Sequence, residues 1–171
     1  VDEVSAARRV AASLGASGPL LTDLGKRFAA AGFELALVGG PVRDAVRTGS
    51  LADVPDLDLT TSAPPLETAR LLASGASAQW DVGIRFGTVG ARFGDRVVEV
   101  TTYRAEAYDH DSRKPEVTFG TSLADDLVRR DFTVNAMALT LPDLRFVDLH
   151  DGLADLEAGL LRTPGTPQDS F

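Results

Sequence analysis

The stretch LVGGPVRD at residues 37–44 joins an apolar run to a helical pattern through two glycines. Residues 33–38 are short and apolar, as in a buried strand, and residues 42–47 have the apolar spacing of a helix. A strand that ends at two glycines and turns directly into a helix fixes where the chain reverses. The stretch therefore predicts a strand–turn–helix unit, and the rest of the fold has to be arranged around it.

The turn inside this stretch has the composition of an anion site. Gly39 and Gly40 allow backbone N–H groups to approach a ligand closely, and the N-terminus of a helix favours negative charge. Pro41 suits the first helical turn, where its missing N–H has no partner to lose. Arg43 lies one turn in and is placed to reach the same phosphate. A plain structural turn between a strand and a helix explains the glycines equally well.

The next strand pattern is DLDLTT at residues 56–61. Side chains two positions apart on a strand share a face, so Asp56 and Asp58 project together while Leu57 and Leu59 face the core. Two carboxylates this close repel each other unless a cation lies between them. Mg²⁺ prefers such hard oxygen ligands, and a carboxylate pair can hold two ions. An acidic edge that discourages strand pairing is the alternative interpretation.

A third carboxylate lies on the strand predicted at residues 96–102, which Gly94 and Asp95 connect by a hairpin turn to a strand at 85–92. Alternation places Glu99 on the face opposite Val98 and Val100. From a neighbouring strand, Glu99 can complete a metal site. It can equally face solvent or pair with an arginine.

The segment RRDFTVNA at residues 129–136 is the fourth candidate. Adjacent arginines point in different directions, so only one of them faces a given ligand. Asp131 can orient a guanidinium through a fork-shaped pair, and Asn135 can hydrogen-bond backbone or a ribose. A helix C-terminus enriched in arginine explains the two arginines but not the residues that follow them.

Helices and short strands alternate along the rest of the chain without regular βαβ spacing. This favours an α+β fold over a doubly wound one. The further predicted helices are 1–12, 20–31, 64–73, 123–130 (capped by Ser122) and 151–161; the further strands or core segments are 133–140 and 146–149; and 105–116 is predicted to be a mobile loop.

Composition limits the class of protein. The 171 residues fit one domain, or one domain with the start of a second. The contents of 44% hydrophobic and 25% charged residues are ordinary for a globular protein. No apolar run approaches the ~20 residues that cross a bilayer. Cysteine is absent, which excludes disulfides and thiolate metal sites and favours the cytoplasm. The net charge of −8 fits solubility, or a cation that bridges protein and polyanion.

The order and spacing of five motifs together resemble the class II CCA-adding enzyme and poly(A) polymerase family. The resemblance runs from about residue 33 to about residue 163. The motifs are LVGGPVRD at 37–44, DLDLTTSA at 56–63, RFGTV at 85–89, EVTTYR at 99–104 and DDLVRRDFTVNAMA at 125–138. The resemblance implies a polymerase-β-like nucleotidyltransferase head, with a small mixed β-sheet flanked by helices. It also implies two Mg²⁺ ions, with ATP, CTP and the 3′ end of tRNA as partners and no membrane.

The resemblance also implies roles for nine residues, by their positions in these motifs. Asp56 and Asp58 would bind the metal, and Glu99 would be a third catalytic carboxylate. Gly40 and Arg43, with Gly39 beside them, would contact the triphosphate. Arg130 would bind the nucleotide, with Asp131 and Asn135 on the ribose side.

The same resemblance divides the chain into an N-terminal helical segment at 1–32, a head at 33–147, and a hinge with the start of a neck at 148–171. The spacer between Asp44 and Asp56 is longer than the family pattern, which should change a loop and not the site. The base-reading segment expected after PGTP at 164–167 is not reached by residue 171. This piece is therefore expected to bind nucleotides weakly or without base selection, and it is expected to depend on other domains to grip RNA.

Other functions remain open beside CCA addition. Within the same chemistry they are a poly(A) polymerase and a CC-adding or A-adding tRNA nucleotidyltransferase. From a different class, the chain would be a nucleotide-binding module that has lost catalysis. The joint presence of Asp56, Asp58, Arg43 and Arg130 argues against this last alternative, because a decayed site has no reason to keep all four.

Overall fold

The computed structural model describes residues 1–50, 56–81, 87–107, 116–119 and 122–165. Helices and strands are mixed along the chain, as an α+β fold requires. The helices are α1 Glu3–Ser13, α2 Gly18–Ala30, α3 Gly40–Thr48, α4 Pro65–Leu72, α5 Leu123–Val128 and α6 Gly152–Ala158, with short 3₁₀ turns at Gly15–Ser17 and Thr133–Asn135. The strands are β1 Leu35–Val38, β2 Asp56–Thr61, β3 Ala78–Asp81, β4 Thr88–Phe93, β5 Arg96–Thr102, β6 Arg104–Ala107, β7 Glu116–Phe119, β8 Met137–Leu141 and β9 Phe146–Asp148.

Seven of these strands form one mixed sheet in the order β3-β4-β5-β2-β1-β8-β9. Its neighbours run antiparallel except for the central pair β2 and β5, which is parallel. Strands β6 and β7 form a separate antiparallel pair. The parallel pairing brings the two strands that carry the candidate carboxylates side by side at the centre of the sheet.

The two faces of the sheet are covered unequally. One face packs against α1 to α4 in the main core, which includes Leu37, Leu57 and Val98 from the sheet. The other face carries a smaller cluster in which Leu127 of α5 packs against Ala36 and neighbouring alanines. Among the described residues, the sheet contributes to this cluster from β1, β8 and β9, while β2 and β5 carry the polar side chains of Asp56, Asp58 and Glu99 on the same face.

Glycines set both ends of helix α3. Gly39 precedes it with φ +75° and ψ −145°, a conformation that only glycine adopts readily, and Gly49 follows it with φ +72° in the left-handed region. Ordinary capping places other helices, as at α1, where the Asp2 side chain accepts a hydrogen bond from the Ser5 amide at 2.7 Å. The strand–turn–helix unit predicted from residues 37–44 is thus present.

The α+β class and the small mixed sheet flanked by helices are confirmed. The strands predicted at 56–61 and 96–102 have the observed bounds, while the helices predicted at 123–130 and 151–161 are shorter, at Leu123–Val128 and Gly152–Ala158. Within the part of the chain that the structure describes, no helix is long and apolar enough to cross a membrane.

One expectation about local structure was wrong, and one strand was missed. The loop expected at 105–116 begins and ends in strand, because Ala105 pairs with Thr118 and Ala107 with Glu116; residues 108–115 lie outside the described residues. The edge strand β3, which carries Trp80, was not predicted at all. Its four residues AQWD are too short for a visible alternation, and pairing with β4 alone defines it.

Candidate active site

Three carboxylates share the partly open face of the sheet. In the parallel register Asp58 of β2 lies directly opposite Glu99 of β5, and Asp56 lies two residues before Asp58. Leu57 and Leu59, which alternate with the aspartates, are 1% and 2% exposed in the main core. The alternation expected for β2 is therefore present, and the structure brings Glu99 beside the aspartate pair.

The carboxyls of Asp58 and Glu99 have raised pKa values. Partial desolvation is the largest effect at Asp58 and raises the pKa of its carboxyl; Arg130 opposes the rise and Asp56 adds to it. Desolvation also raises the pKa of Glu99, followed by repulsion from Asp58 and Asp56. Both pKa shifts therefore combine partial desolvation, the larger cause, with repulsion between carboxylates that share one face. Such a group is stabilised when a cation arrives.

This donor set fits a divalent metal ion that is only partly held by protein. Among the described residues, no three Asp, Glu, His or Cys side chains converge as a preformed metal cluster. Mg²⁺ commonly binds through one or two carboxylates and completes its shell with water and substrate phosphates. Asp56 and Asp58 can supply those two carboxylates.

The glycine turn lies directly beside the carboxylates. A Cβ atom at Gly39 would be 3.6 Å from Nη1 of Arg130 and 3.8 Å from Oδ2 of Asp58. A Cβ at Gly40 would be 3.4 Å from Nη2 of Arg43. The turn, two guanidinium groups and one carboxylate therefore meet at the N-terminus of α3, where a triphosphate is favoured by both the backbone amides and the arginines.

Arg43 is held by its neighbour Asp44 and by Asn135, which is distant in the sequence. Its Nε donates to Oδ1 of Asp44 at 2.9 Å and its Nη1 donates to Oδ1 of Asn135 at 2.7 Å. The Asn135 amide in turn donates to Asp131 at 3.1 Å, and the Phe132 backbone amide donates to the same carboxylate oxygen. Asp131 and Asn135 are thus brought to Arg43, so the 3₁₀ turn Thr133–Asn135 aims this guanidinium.

Asp126 is a site residue that the sequence argument did not single out. It is 2% exposed, accepts a hydrogen bond from Nη2 of Arg130 at 3.0 Å, and accepts another from the Arg104 amide. Its spacing of four residues from Arg130 on a predicted helix was the available signal. Within the described ranges the buried Nε of Arg130 has no hydrogen-bond partner, whereas its Nη2 is held by the Asp126 carboxylate.

A cavity of about 370 Å³ opens beside the Arg43 network. Its polar wall includes Arg43, Asp131 and Asn135, and its apolar wall includes Leu156 and Leu160 near the end of α6. Volume and lining are typical of a site for a nucleotide-sized ligand, in which a few polar groups fix the orientation.

The link between Asn135 and Arg43 can be tested by a double-mutant cycle in the full-length protein. Asn135→Ala removes the acceptor of Arg43 Nη1 and is expected to raise the KM for nucleoside triphosphate about tenfold, with a smaller change in kcat. Arg43→Ala should remove the benefit of Asn135, so the double variant should resemble Arg43→Ala alone. Strictly additive effects would show that the two side chains act independently.

Comparison with known proteins gives the family. Residues 35–162 match the model of the family described as Poly A polymerase head domain. A CCA-adding enzyme from Streptococcus suis strain 05ZYH33 is 45% identical over 147 residues, which are 85% of this chain and 34% of that protein. The chain therefore spans about a third of the length of the curated relatives it matches.

Solved structures agree with this result. The Bacillus stearothermophilus CCA-adding enzyme in complex with CTP has a TM-score of 0.68 and 29% identity, covering 90% of this chain and 34% of the other. A tRNA nucleotidyltransferase complexed with a primer tRNA and an incoming ATP analog has a TM-score of 0.64 and 28% identity, covering 83% and 39%. The fold is the polymerase-β-like head expected from the motifs. With three-quarters of its length inside the family model, the chain belongs to the poly(A) polymerase head domain family.

Proposed function

We propose that the protein is a template-independent RNA nucleotidyltransferase that adds CCA to tRNA 3′ ends from CTP and ATP, using Mg²⁺. One observation carries the proposal: Asp58 lies opposite Glu99 on one side and beside the Gly39 turn and Arg130 on the other. Metal ligands and triphosphate ligands are therefore adjacent, as transfer of a nucleotide requires. The relatives named CCA-adding enzyme support this assignment within the family.

Each group has a task that follows from its chemistry. Asp56 and Asp58 would hold Mg²⁺, which when bound lowers the pKa of the attacking hydroxyl and balances charge on the α-phosphate. The Gly39–Gly40 turn and Arg43 bind the triphosphate as charge moves onto the leaving pyrophosphate. Arg130 holds the nucleotide close to Asp58. Glu99 faces the side from which the hydroxyl arrives.

The cavity beside Arg43 is the proposed place of the nucleoside. Asp131 and Asn135 present an acceptor and an amide there, which suits hydrogen bonds to a ribose. We further propose the division into a helical segment at 1–32, a head at 33–147 and a hinge with the start of a neck at 148–171. A cytoplasmic location is part of the same proposal.

The assignment can be tested with full-length protein, Mg²⁺ and tRNA that lacks its 3′ CCA. CTP alone should add only C residues, ATP alone should add little, and both together should give CCA, read by sequencing the product ends. Long A tails from ATP alone would identify a poly(A) polymerase. Products that stop at CC, or that require a preformed CC end, would identify the CC-adding or A-adding alternatives. No transfer under any condition would support the inactive nucleotide-binding module.

A further inference from the structure

A tryptophan lies in line with the carboxylates on the same face of the sheet. Trp80 of β3 pairs with Gly90 of β4, Gly90 pairs with Glu99 of β5, and Glu99 pairs with Asp58 of β2. Side chains of residues directly opposite each other in a sheet project to the same side. The indole therefore projects on the side that carries the candidate metal ligands, although β3 is the edge strand of the sheet.

Gly90 brings the indole close to the sheet. A Cβ atom at Gly90 would collide with Nε1 and Cε2 of Trp80 and would lie 2.9 Å from its Cδ1. The five-membered ring of the indole thus lies over the Gly90 Cα, in space that only a glycine leaves free. The indole extends from the edge strand over β4, and it stays partly exposed. Because strands are about 4.8 Å apart, the ring lies about one strand spacing from the strand that carries Glu99.

The carboxylates separate the indole from the triphosphate ligands. Gly39 follows β1, on one side of β2, and Trp80 lies beyond β5 on the other side. In nucleotidyl transfer the attacking and leaving oxygens are roughly in line on opposite sides of the phosphorus. If the triphosphate occupies the Gly39 side, the acceptor hydroxyl enters from the Glu99 side, which is where Trp80 lies.

We propose that Trp80 is a stacking platform that positions the 3′-terminal base of the acceptor RNA. The inference rests on the proposed function and adds a primer-side residue to it. Aromatic stacking tolerates every base, since each has a π face, and it changes affinity roughly 5-fold to 150-fold per base. This tolerance suits an RNA end whose last base changes with each nucleotide added.

Kinetics of the full-length protein separate this role from simple packing. Trp80→Leu keeps an apolar side chain over Gly90 without a π face and should raise the KM for tRNA lacking CCA about tenfold. The KM for CTP should stay within about twofold, because the triphosphate ligands lie across the carboxylates. Trp80→Phe should retain most of the affinity for RNA. Thermal melting of each variant checks folding, and the fluorescence of Trp80 carries the test if Trp80→Leu does not fold.

Fluorescence gives a second readout that does not require turnover. Trp80 is the single tryptophan of this chain. Its fluorescence is obtained by subtracting the emission of a Trp80 variant from the emission of the wild type. Titration with tRNA lacking CCA, without nucleotide, should quench this difference to saturation. If the KM of Trp80→Leu for RNA is unchanged and RNA does not quench the fluorescence, the proposal is overturned. Trp80 would then only stabilise the sheet by packing over Gly90. If Trp80→Leu raises the KM for CTP but not the KM for RNA, the proposal is also overturned. If wild type quenches but never transfers nucleotide, the proposed function fails and the RNA contact survives.

Discussion

Asp58→Asn in the full-length protein is expected to lower kcat/KM for CCA addition by about 10³-fold or more, which corresponds to about 4 kcal/mol of transition-state stabilisation. Asparagine has the shape of aspartate but no charge, so the change removes electrostatic attraction for Mg²⁺ while it preserves packing. Asp58 lies opposite Glu99 and beside the Gly39 turn and Arg130. It is therefore the carboxylate at which the metal, the triphosphate and the third carboxylate meet.

A matched variant makes this loss interpretable. Asp95→Asn makes the same chemical change in the exposed turn between β4 and β5 and should leave activity unchanged. Asp56→Ala should also lose activity, because it removes the other half of the pair. Binding of Mg²⁺ with CTP, measured by isothermal titration, should weaken in Asp58→Asn and not in Asp95→Asn. Turnover of Asp58→Asn at the wild-type rate would remove the metal-site assignment.

The sequence suffices for the parts of this site that depend on local geometry. Alternation alone predicts that Asp56 and Asp58 share a face, and two glycines followed by proline predict the turn into α3. Those features depend on the period of a strand and on the conformations open to glycine, which neighbouring residues determine. Their observed positions follow the prediction.

Contacts between segments that are distant in the sequence could not be predicted from these local patterns. Arg43 and Asn135 are 92 positions apart and still share a hydrogen bond, because β1 and β8 are neighbours in the sheet. The opposition of Asp58 and Glu99 depends on the parallel register of β2 and β5. Periodicity shows which face a residue occupies, but it does not show which strand lies next to it. The position of Trp80 on the face of the carboxylates could not be predicted either, because it depends on the pairing of β3 with β4.

The second large effect is expected at Asp126. Asp126→Ala should lower the free energy of unfolding by about 3 kcal/mol, near the lower end for breaking a buried ion pair, since the Arg130 side chain keeps 25% of its surface exposed. In a chain of this size that corresponds to a fall in Tm of roughly 10 °C. The measurement is urea or thermal unfolding followed by circular dichroism.

The reason is positive charge crowded around one buried carboxylate. Asp126 accepts hydrogen bonds from Arg130 Nη2 and from the Arg104 amide. Burial, and next the Arg129 guanidinium, lower the pKa of Arg104, whereas Asp126 opposes that shift. Without Asp126 three guanidinium groups remain close together with less compensation, and Arg130 loses the contact that holds it near Asp58. Activity should therefore fall even at temperatures where the variant is folded.

The neighbouring residue supplies the control for this prediction. Asp125→Ala removes a carboxylate from the same helix at an exposed position, and its cost should stay within about 0.5 kcal/mol. Asp126→Asn should be intermediate, because an amide oxygen can still accept from Arg104 but no longer offsets the charge of Arg130. Equal stability of Asp125→Ala and Asp126→Ala would mean that the arginines are neutralised elsewhere. If Asp126→Ala is much less stable than Asp125→Ala, and only Asp126→Ala loses affinity for nucleotide, then helix α5 contributes to nucleotide binding by holding Arg130.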